Sequence, residues 1–139
     1  MLQLIFHLLG DYVTQSDWMA QNKTKSTWAA FCHATVYSLP FLCIASWSAW
    51  LVIWSTHLII DRFRLARYVA YAKNFLSPPT LEGFYCPRFA ERQLWWHRWS
   101  DCSATGYHKD SPPWLAVWLM IAADNTLHLA INYASLQYL

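Results

Sequence analysis

The chain has 139 residues, of which 56% are hydrophobic and only 13% charged, against roughly a quarter charged in a soluble domain. A formal charge of +2 with no single basic block argues against a nucleic-acid partner. Ten tryptophans and eight tyrosines suit a chain lying across membrane interfaces, so one integral membrane domain, 1–139, is expected.

The first apolar run, Leu2 to Val13, predicts a helix over about 1–19, ending at Trp18 and Met19. No basic region precedes it and no small-residue cleavage site follows, so it reads as a retained helix rather than a secretory signal. A polar connection carries Lys23 and Lys25. Thr27 to Ile60 then contains no Asp, Glu, Lys or Arg. That run exceeds the roughly 20 residues of one crossing and reads as a hairpin bent near Ser46–Ser48. Its helices are expected at about 27–44, with a kink at Pro40, and at 48–74, where the pattern continues past the membrane. Residues 75–112 form a polar excursion bounded by Pro78-Pro79 and Pro112-Pro113, with a short interfacial helix over Phe89–Trp99. A fourth helix is expected over 114–135. Lys23 and Lys25 follow helix 1, and Arg62, Arg64, Arg67 and Lys73 follow helix 3. The positive-inside rule puts both connections in the cytoplasm and both termini outside. The expected fold is thus an all-α integral membrane bundle of about four transmembrane helices with one polar cytoplasmic excursion.

The strongest signal is a spacing. Of eight acids, only Asp11, Asp61 and Asp124 lie in apolar stretches, and each has a histidine four residues away: His7, His57 and His128. Residues i and i+4 share a helix face, and an unpaired charge in an apolar segment is strongly unfavourable. Six histidines among 139 residues give each acid a roughly one-in-ten chance of such a neighbour, so three of three is on the order of one in a thousand. With His33, and with a fourth helix that begins as an interfacial segment over Trp114–Leu119, the topology delivers His7, Asp11, His33, His57, Asp61, Asp124 and His128 to one layer. Ligand sites in bundles are built this way. Imidazole with carboxylate suits zinc, manganese or iron. The set exceeds one tetrahedral zinc's needs, permitting two metals, or one metal with aspartates orienting the histidines. The competing reading is interhelical hydrogen bonding without metal. A weaker constellation, Cys86, His97, Cys102 and His108, has gaps that match no familiar zinc motif and reads as scattered loop residues.

The motif His7-x-x-x-Asp11-Tyr12-x-x-Gln15, followed by Trp18-Met19-Ala20, Lys23, and His33 with Tyr37, resembles small bacterial and phage membrane proteins grouped as domain of unknown function 3307. His57-x-x-x-Asp61 and Asp124-x-x-x-His128 resemble that family's later motifs, with Asn125 standing where glutamine is expected. The likeness skips 75–112. It implies an architecture and a polar cluster in a bacterial inner membrane or a phage-encoded protein, not a reaction. At the level of fold only, the array is also similar to membrane metal-dependent hydrolases.

The functional expectation is a metal-dependent hydrolase acting on a lipid or lipid-linked phosphate at the cytoplasmic leaflet. His7, Asp11, His33, His57, Asp61 and His128 are the candidate ligands, and Asp124 a ligand or general base. Lys23, Arg62 and Arg98 are candidates to hold phosphate oxygens. The alternative is a non-enzymatic protein that binds and regulates a host membrane partner through the tryptophan-rich excursion. An ion or proton path ranks last, because the outward half of helices 2 and 3 offers only serines and threonines.

Overall fold

The computed structural model of the protein describes residues 1–76 and 99–139. Among these, all regular structure is helical. The expected interfacial helix over Phe89–Trp99 lies outside the described residues except for its last residue, as do Pro78-Pro79, Cys86, His97 and Arg98.

The described residues divide into two compact units, residues 1–65 with 124–139, and residues 66–123. The first unit begins with α1 (Leu2–Leu8), which widens into a π-helical turn over Leu9–Val13. The expected 1–19 helix stops there. The Ser16 hydroxyl accepts from the Met19 amide and starts a separate α2 (Asp17–Asn22), as an N-cap serine does for orphan first-turn amides. Ser26 caps α3 (Thr27–Ser38) in the same way. Pro40 then converts the chain to a 3-10 segment over Leu39–Cys43, since a proline inside a helix removes a backbone bond and crowds the preceding turn. Ser46 caps α4 (Trp47–Phe63). The bend of the hairpin thus falls where the serines predict it.

α3 and α4 pack along Ala29, Ala30 and Ala34 on one side and Ala49 and Ile53 on the other, all buried. Small side chains let helix backbones approach closely. The Trp50 indole donates to the Ser38 carbonyl (3.0 Å) and the Trp54 indole to the Thr35 hydroxyl (3.1 Å), tying the hairpin together. Tyr37, Phe41 and Ile53 form its apolar core, with Phe6, Trp50 and Leu136 against them. The Ser46 and Ser48 hydroxyls donate to the Leu139 carbonyl, fixing the chain's last residue at the hairpin turn.

α4 ends at Arg64, whose left-handed conformation (φ 51°, ψ 50°) closes the helix as a C-terminal residue often does. The expected 48–74 helix is therefore two, α4 and α5 (Ala66–Lys73). In the second unit, Trp99 at the start of α6 (Trp99–Cys102) stacks on Tyr68, with ring centroids 4.7 Å apart, beneath the Arg67 guanidinium. Gly106 adopts φ +84°, and a side chain there would meet the Arg67 carbonyl, so this turn requires glycine. α7 runs from Pro113 to Tyr138 and belongs to the first unit from Asp124 onward.

Among the described residues α7 is the one helix long and apolar enough to cross a membrane. α4, at 17 residues, spans about 26 Å against a hydrocarbon core of roughly 30 Å. The chain is all-helical as expected, but the breaks at Ser16, Pro40 and Arg64 leave the other helices too short to qualify as full spans.

Candidate metal centre

The π-helical turn carries Gly10 and Asp11, both buried. A Cβ on Gly10 would meet the Tyr37 ring, so glycine here lets α1 close onto α3. The wider turn aims Asp11 at α3, where His33 lies one turn before Tyr37. His57 and Asp61 share one face of α4. His7, His33, His57, Asp61 and His128 are all buried.

Four ligand atoms converge. His33 Nε2 and His57 Nε2 lie 3.0 Å apart. His33 Nε2 is 3.2 Å from Asp11 Oδ1 and 3.1 Å from Asp61 Oδ2. His57 Nε2 is 3.5 Å and 3.3 Å from the same two oxygens. Each residue of this set offers a ligand atom within 4.8 Å of the others. Two neutral imidazoles carry one hydrogen each, too few to give every close contact a donor. Asp11 Oδ1 and Asp61 Oδ2 are buried within ion-pair distance of these nitrogens, yet neither receives a well-directed hydrogen bond. A donor set of two nitrogens and two carboxylate oxygens fits zinc, manganese or iron.

Lys23 reaches the same place from the end of α2. Its Nζ is 2.9 Å from Asp61 Oδ2 and donates to His33 Nε2 at 3.3 Å. Burial opposes its charge, but Asp61 and Asp11 beside it hold its pKa above the usual lysine value. A fixed ammonium therefore borders the cluster.

His7, expected as a ligand, is engaged at both nitrogens. The Asn132 amide donates to the Tyr37 oxygen (2.7 Å), and the Tyr37 hydroxyl lies 2.9 Å from His7 Nδ1. His7 Nε2 is 3.2 Å from Asn125 Oδ1, and the Asn125 amide donates to the Tyr12 oxygen (2.7 Å). One assignment satisfies the whole chain: Tyr37 donates to His7 Nδ1, and His7 Nε2–H donates to Asn125. His7 Nδ1 also lies 3.4 Å from Asp11 Oδ2. The Tyr37 ring stacks on His57, with centroids 3.6 Å apart. Tyr37, Asn125 and Asn132 therefore hold the cluster in place. For Tyr37 and Asn132 the signal in the sequence was the same four-residue spacing, His33 to Tyr37 and His128 to Asn132.

The remaining expected residues divide. His128 Nε2 lies 3.4 Å from Asp61 Oδ1 and 3.5 Å from Asp124 Oδ2, and Asp124 is half-buried. The Arg62 guanidinium donates to the Thr24 carbonyl and the Thr27 hydroxyl, securing the connection that brings Lys23 inward. Arg98 lies outside the described residues. Of the weaker constellation, Cys102 is buried as a free thiol and His108 Nδ1 lies 3.5 Å from Asp110.

The model of a family described as proteins of unknown function, DUF3307, matches residues 1–77. The chain belongs to this family. The matched segment contains Asp11, Lys23, His33, His57 and Asp61, so the four-atom convergence lies wholly within the family portion, and Asp124 and His128 lie beyond it. No curated protein and no solved structure matches the chain.

Proposed function

We propose that this protein resides in a bacterial inner membrane, as a host or a phage-encoded component, and holds a divalent cation between Asp11, His33, His57 and Asp61. Its reaction in this reading is hydrolysis of a phosphate ester on a lipid or lipid-linked substrate at the cytoplasmic leaflet. The observation that carries the reading is the buried convergence of two imidazole nitrogens and two carboxylate oxygens.

The membrane placement is supported by an inverted distribution of side chains. His, Asp and Asn lie inside, while Leu4, Ile5, Trp28, Phe31, Leu51, Ile59 and Trp118 are exposed. Apolar surface of that extent on a water-soluble monomer would be unusual. Polar groups facing a bundle interior are what a membrane protein requires.

A bound cation would polarise the phosphoryl oxygen and lower the pKa of a coordinated water. Asp124, half-buried beside His128, serves in this reading as a ligand or as the general base toward that water. Lys23, beside Asp61 and His33, holds a phosphate oxygen in this reading. Tyr37, stacked on His57, keeps that imidazole in orientation. Detergent-purified protein stripped with chelator and resupplied with zinc or manganese should release inorganic phosphate from phosphatidate only in the metal-loaded state. Release that survives chelation, or none with any metal, would contradict the hydrolase.

One observation favours a second reading. Lys23 supplies a cation to Asp61 at 2.9 Å, so the cluster has an internal counter-charge and can act as interhelical glue. In that case the protein is non-enzymatic and regulates a membrane partner.

A further inference from the structure

The two oxygens of Asp61 face different groups. Oδ2 lies against His33, His57 and Lys23, whereas Oδ1 lies 3.4 Å from His128 Nε2. That nitrogen is buried without a well-directed hydrogen bond, on a residue only 2% exposed. Asp124 Oδ2 is 3.5 Å from the same nitrogen. Asp61, Asp124 and His128 each offer an atom within 4.8 Å of the other two. This second set overlaps the first at Asp61 alone.

We propose that Asp61, Asp124 and His128 hold a second divalent cation, with Asp61 bridging it to the first through its two oxygens. The inference rests on the first site being a metal site. Three reasons carry it. First, a carboxylate whose oxygens each meet a separate imidazole group is arranged as a bridge. Second, three protein donors leave positions open for water or a phosphate oxygen, as a catalytic site requires. Third, two ions and Lys23 outweigh the three carboxylates by the charge of a phosphate dianion. Paired ions at roughly 3.5–4 Å clamp both the attacking and the leaving oxygen of a phosphoryl group. Phosphate is therefore the ligand chemistry the pair would take.

The test is manganese binding to detergent-purified, chelator-stripped protein, counted by equilibrium dialysis and followed by electron paramagnetic resonance. Wild type should take up two ions per chain with a spin-coupled spectrum. Asp124→Asn and His128→Ala should each keep one ion and show the spectrum of an isolated ion. If His128→Ala does not fold, the half-buried Asp124→Asn gives the same readout. One ion in wild type would overturn the second site and leave the first standing. Two coupled ions in both wild type and the variants would place the second ion elsewhere and also overturn it. No ion in wild type would refute the first site, and this inference with it.

Discussion

Gly10 and Lys23 show how single residues set the geometry of this site. A methyl group on Gly10 would run into Tyr37 Cδ2. Tyr37 is fully buried, stacked on His57 and tied to His7 and Asn132, so it has no room to yield. Gly10→Ala should cost about 1–3 kcal/mol, the usual range for overpacking, and lower the thermal midpoint of the purified protein. An unchanged midpoint would show that α1 does not close on α3 as described. Lys23→Met removes the ammonium and keeps a similar length. In a hydrolase the substitution should raise KM for phosphatidate about tenfold or more, as expected for loss of a charge-assisted bond worth roughly 1.5–3 kcal/mol, while metal content stays at the wild-type level or above. If Lys23 serves only as internal counter-charge to Asp61, the variant should instead lose stability, leaving an uncompensated buried carboxylate.

At the scale of elements, the sequence carried periodicity well and interruptions poorly. The spacing of His57 to Asp61 and Asp124 to His128 gave the shared faces directly, because i and i+4 meet on any helix. Ser46 and Ser48 marked the hairpin turn, where Ser46 caps α4. The π-helical turn at Leu9–Val13 left no such trace, since its cause is the fit of Gly10 against a ring 27 residues away. The left-handed Arg64 was equally hidden, because arginine carries no preference for that conformation. Nor did spacing show that Lys23 folds back to Asp61, which depends on Arg62 holding the Thr24 carbonyl. The His7 ligand expectation treated every paired histidine alike, and only the Tyr37 and Asn125 contacts distinguish its role. Topology is tested at this scale. Reporters fused after Lys25 and after Lys73 should both report cytoplasm, and one at Trp47 should report the outside. Opposite signals from the first two would refute a membrane hairpin formed by α3 and α4.

For the whole molecule, a polar interior under an apolar exterior makes sense if the surrounding medium is lipid and the interior binds something. Buried imidazole and carboxylate groups are costly unless paired or coordinated. Interhelical hydrogen bonds in membranes average only about 0.6 kcal/mol, a small return for burying so many ionisable groups. Coordination supplies a larger one, since metal binding free energy adds to folding free energy. The most direct measurement is elemental analysis of detergent-purified wild type beside Asp61→Asn and His57→Ala, each shown to be folded. Asp61→Asn keeps the side chain's shape while removing the charge that a metal ligand supplies, so metal content, read on folded protein, separates a ligand from glue. Wild type should carry zinc, manganese or iron at one or more equivalents per chain, and both variants should lose at least tenfold in affinity, since even groups that only orient a ligand cost roughly 10- to 100-fold. Wild type free of metal, or both variants retaining it in full, would contradict the account.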